Sequence, residues 1–70
     1  MNTREKIVKV HELYLQNTDI LVRDFFDVDS MKDLDFKIEV LTRLNNGENV
    51  SDKDFYRILE LYPKGNINWD

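Results

Sequence analysis

Apolar residues recur every three to four positions along most of this chain, and short polar clusters divide the pattern into segments. From residue 3 onward Ile7, Val10, His11 and Tyr14 share one helical face, while Glu5, Lys6, Lys9, Glu12 and Gln16 lie opposite. The apolar phase continues across Asn17-Thr18-Asp19. Ile7, Tyr14 and Leu21 stand seven apart, as do Val8, Leu15 and Val22. A single helix over about 3–26, continuous or merely kinked near residue 17, is the first expectation, and two helices broken there are the alternative. A strand over Ile20–Phe26 would suit β-propensity but has no partner strand. A second run, 31–45, carries Leu34, Ile38, Leu41 and Leu44 on its main face, and Asn45-Asn46-Gly47 suits a left-handed helix end. A third run, 52–62, carries Phe55, Ile58, Leu59 and Tyr62, with Pro63 and Gly65 as stop signals and a short tail over 63–70.

Three cap signals punctuate these runs: Asn2-x-x-Glu5, Ser30-x-x-Asp33 and Ser51-x-x-Asp54. In each, a short polar side chain can accept a bond from an orphan backbone N–H, and the carboxylate three positions on can reach back. Val50 and Phe55 bracket the last signal as a hydrophobic staple. Caps and periodicity together predict an all-α fold, a compact antiparallel bundle of three to four short helices forming a single domain over 1–70.

Composition narrows the functional classes. At 70 residues the chain is near the lower limit for a self-sufficient core, and it has no cysteine to supply a disulfide or a thiolate metal site. Self-association is the usual remaining way to bury more surface, so a homodimer is one expected state. No apolar run approaches the roughly 18 residues of a membrane span, and Lys9 interrupts the first apolar stretch, so a soluble cytoplasmic protein is expected. A net charge of −4 disfavours general nucleic-acid binding.

Candidate chemistry is sparse. His11, the one histidine, lies on an apolar helix face and reads as a half-buried ring bonded to a carbonyl or carboxylate. Asp27-x-Asp29 opens like a calcium loop, but Met31, Lys32 and Ile38 occupy the places that need an oxygen ligand, a glycine and a glutamate. With both serines assigned to caps and no glycine-rich phosphate loop, no catalytic set, cofactor or metal site is expected. The acidic stretch Asp27, Asp29, Asp33 and Asp35 reads as turn and cap residues, or else as a patch that docks on a basic partner or imitates nucleic acid. The helical pair over 31–62 has helix-turn-helix order, yet Asp52, Asp54 and Glu60 stand beside Lys53 and Arg57 on the would-be recognition helix.

Apolar residues left over after one core face is assigned suggest a protein-binding surface. Phe36 and Val40, with Arg43 beside them, point away from the Leu34–Ile38–Leu41 face, and Leu13 and Ile20 lie off the Ile7–Tyr14–Leu21 face. Trp69 either folds back on the core or anchors a partner. Tyr14, Tyr56 and Tyr62 read as boundary residues with hydroxyls in water. The expected function is a small non-enzymatic interaction module, an adaptor, modulator or inhibitor. The alternative is a nucleic-acid-associated regulator.

Overall fold

A computed structural model describes residues 1–60, which form four helices and no strand: α1 (Thr3–Gln16), α2 (Ile20–Phe25), α3 (Leu34–Asn45) and α4 (Asp52–Ile58). The readings placed on the tail, on Tyr62 and on Trp69 lie outside the described residues. No helix among those described is long and apolar enough to cross a membrane.

Two of the three cap signals act as expected. Asn2 and Glu5 form the complete capping box of α1, with Glu5 N–H donating to Asn2 Oδ1 at 2.9 Å and Asn2 N–H donating to Glu5 Oε1 at 3.1 Å. Ser51 Oγ accepts from Asp54 N–H at 3.2 Å and starts α4. The Ser30 signal does not start a helix. Its hydroxyl accepts from Lys32 N–H at 3.3 Å and donates to Glu60 Oε1 at 2.8 Å, so α3 begins three residues later, at Leu34, without a side-chain cap.

The long first segment is broken, as one of the two expected forms had it. Asn17 is buried, its Oδ1 accepts from Asp19 N–H at 2.8 Å, and Asp19 in turn caps α2 by accepting from Leu21 N–H at 2.8 Å. These local side-chain bonds give the backbone a better alternative than continuing the helix through residue 17. The seven-residue repeat does not mark one buried face: Val8 and Leu15 are exposed, whereas Val22, after the break, is in the core.

That break changes the topology. Lys6 pairs with Asp35 near the start of both α1 and α3, whereas Asn17 and Asn45 meet at the end of both, so α1 and α3 run parallel. The return path is α2 with the connector that follows. Tyr14 stacks on Phe26 at 5.8 Å, and its hydroxyl donates to the Arg23 carbonyl. Further back, His11 faces Asp29. Helix α4 runs antiparallel to α3, bringing Arg57 and Glu60 to Asp33 and Lys37. The all-antiparallel expectation is therefore corrected. With α2 as the return arm, α3 starts at the same end of the molecule as α1.

The core is Val10 and Leu13 of α1, Val22 and Phe26, Val40 and Leu41 of α3, and Ile58 and Leu59. Helix α3 sits between α1 and α4 and is apolar on two sides because both are covered. Its end is a Schellman motif: Gly47 has φ 77°, Gly47 N–H donates to the Leu44 carbonyl, and Glu48 N–H donates to the Arg43 carbonyl. Helix α4 stops four residues short of the expected Tyr62. Glu60 occupies the same left-handed position, at φ 58°, that glycine fills after α3, and its N–H donates to the Arg57 carbonyl. The apolar period of Phe55, Ile58, Leu59 and Tyr62 gives no warning of this stop.

Where α1 and α3 end together, Asn45 Nδ2 donates to the Leu13 carbonyl at 3.0 Å, and Asn17 Nδ2 donates to Asn45 Oδ1 at 2.8 Å. Replacing Asn45 by alanine strands both a helix-end carbonyl and a buried amide. The expected loss is about 2 kcal/mol of unfolding free energy, measured by urea titration, whereas Thr18→Ala on the exposed side of the same break should change little.

Candidate interaction surface and charged cluster

The structure scatters the residues singled out as contact candidates. Val40 is 1% exposed and Leu13 is 5% exposed, so both are core residues and offer no anchor as the fold stands. Each lay off the face judged from sequence because the buried side of its helix is rotated relative to that face. Phe36 is half-buried, and the Arg57 guanidinium lies 4.0 Å above its ring centroid, a close cation–π contact. Arg43 and Ile20 are exposed. Four of the exposed large apolar side chains instead sit on the outer side of α1 and on α2, Val8 at 51%, Leu15 at 70%, Ile20 at 70% and Phe25 at 54%, with Met1 ahead of α1 and Met31 on the connector also exposed. A shallow groove along α1 is bordered by Met1, Arg4, Glu5, Val8, Lys9 and Glu12. A second, more polar notch lies where α1 and α3 end, between Gln16–Asp19 and Leu44–Asn45.

The acidic stretch is largely engaged inside the molecule. Asp35 pairs with Lys6 at 3.0 Å, Asp33 with Arg57 at 3.3 Å, and Asp29 faces His11 Nε2 at 3.8 Å. Asp27 Oδ1 accepts from Asp29 N–H in an Asx turn. Each pair links the connector or the start of α3 to α1 or α4. The pairs are at the surface, where each contributes at most about 1 kcal/mol; together they fix where the connector lies. His11 is half-buried, as expected, with Nδ1 2.9 Å from the Ile7 carbonyl. Among the described residues no group of three or more histidine, cysteine or acidic side chains could hold a metal ion.

One polar cluster had not been singled out. Lys37 is 1% exposed, its ammonium donates to Glu60 Oε1 at 2.9 Å, and Nζ lies 5.5 Å from the Phe26 ring centroid. The Ser30 hydroxyl donates to the same Glu60 oxygen. Partial burial pushes the Glu60 carboxyl up, but bonds from Lys37 and Ser30 and the positive charges of Lys37 and Lys32 outweigh it and hold the group below its ordinary value. The cluster joins the connector, α3 and the end of α4. With its buried ammonium bonded to the Glu60 carboxylate, Lys37 reads as a structural pin. A signal for it existed in the sequence. Lys37 falls in register with Leu34, Leu41 and Leu44, on a stripe that is otherwise apolar.

Comparison with known protein families, with curated proteins and with solved structures finds no match to this chain.

Proposed function

We propose that this protein is a small non-enzymatic interaction module whose contact face is the outer side of α1. The observation that carries the reading is the exposure of Val8 and Leu15, two turns apart on that side and bordered by charged residues. A second copy of the chain is the first expected partner. Helical periodicity sets Arg4 on one flank of Val8 and both Glu5 and Glu12 on the other. Parallel pairing of two α1 helices brings Arg4 toward Glu5 of the second copy, whereas antiparallel pairing opposes acidic flanks. One helix face falls short of the roughly 800 Å² per partner of a standard interface, so the association is expected to be weak.

Sedimentation equilibrium over a wide concentration range tests this. The wild type should show a concentration-dependent rise in mass that V8E/L15E abolishes while its helical circular dichroism is unchanged. A monomer at every concentration removes the second copy as partner. The alternative, a regulator that imitates nucleic acid, draws little support from a stretch in which Asp35 pairs with Lys6 and Asp33 with Arg57.

A further inference from the structure

The contact between α3 and α4 is closed by two acid–base pairs of reciprocal design. The acid that precedes α3, Asp33, holds Arg57 of α4, and the acid that follows α4, Glu60, holds Lys37 of α3. Among the described residues these two acids are the only non-glycine residues with positive φ, at 53° and 58°. Both therefore hold their partners from a strained backbone, and strain of this kind persists only where surrounding contacts enforce it. The other end of α4 hangs on the Gly47 turn. Apart from its two chain neighbours, no residue comes within 4 Å of where a Gly47 side chain would project. Arg57 meanwhile lies over the Phe36 ring.

We propose that residues 51–60 form a hinged cover on α3, turning about the 46–50 loop and held shut by Ile58 and Leu59 in the core together with the Asp33–Arg57 and Glu60–Lys37 pairs. Opening relaxes both left-handed acids, returns the Lys37 ammonium to water and uncovers Phe36, with Val40 one turn further along the same helix. This separates two surfaces: the outer side of α1, exposed at all times, and a side of α3 available only when α4 is away. It is a conformational device independent of the α1 reading above. Local opening of this kind lies below global unfolding in free energy and shows in amide exchange.

Hydrogen exchange read by NMR on the intact chain tests it. In the wild type the Phe55, Tyr56, Ile58 and Leu59 amides should exchange about tenfold faster or more than those of Val10, Leu13 and Leu41, all four moving together. Asp33→Asn and Glu60→Gln should each raise the four α4 rates together by a common factor, with α4 remaining the faster-exchanging unit. Equal protection of α4 and α1 in the wild type would overturn the proposal, even if neither variant folds. So would exchange confined to Leu59 and Glu60, which is fraying, or variants that leave the α4 rates unchanged.

Discussion

Leu41→Ala is expected to leave much of the protein unfolded at room temperature. Leu41 has no exposed surface and lies on the central helix, in the cluster that unites α1, α2 and the end of α4. Truncating such a leucine removes its transfer free energy and leaves a cavity, together about 2–5 kcal/mol. A chain of 70 residues has few kilocalories to lose, since stability runs at about 0.05–0.15 kcal/mol per residue. Thermal and urea unfolding followed by circular dichroism should show a transition shifted to far lower denaturant, or none. Loss of less than about 1 kcal/mol would mean that the α1–α3 contact collapses around the missing atoms.

The second large effect is an asymmetry between two partners of one ion pair. Glu60→Ala leaves the ammonium of Lys37, almost wholly buried, without its carboxylate, and should destabilise by about 3 kcal/mol. Lys37→Met leaves Glu60 at the rim, where Ser30 and water still serve it, and fills the space beside Phe26 with an apolar chain. That variant should lie within about 1 kcal/mol of the wild type. The pH dependence follows from the same cluster. Because the folded-state value of Glu60 lies below its ordinary one, its contribution is fully present above the ordinary glutamate range and is lost as pH falls through the folded-state value. Stability measured against pH should therefore drop on the acid side in the wild type and drop less steeply in Lys37→Met. Equal losses for the two variants would show that the pair is not anchored on Lys37 burial.

These effects fall on residues of unequal legibility. The α1 cap, the α4 start and the Gly47 turn are local devices, each built from side chains within a few positions of the backbone group they satisfy, and their spacing announces them. Ser30 shows the limit of that logic. Its local spacing matches a cap, yet Glu60, thirty residues away, takes its hydroxyl, and the helix starts elsewhere. Lys37 stood in plain register with an apolar stripe, but a lysine in that register also fits a surface helix edge, and only the arrival of Glu60 decides between them.

By itself the sequence determined an all-α fold class and a helix end close to residue 46, while leaving open whether residues 3–26 form one helix or two, because helix periodicity and caps depend on neighbours along the chain. The tertiary structure alone decided that α1 and α3 run parallel and that Val40 and Leu13 are core. It also placed a glutamate in a glycine's position at the end of α4. Each of these depends on contacts between residues twenty or more positions apart, and no local pattern encodes which distant charge or face will meet which.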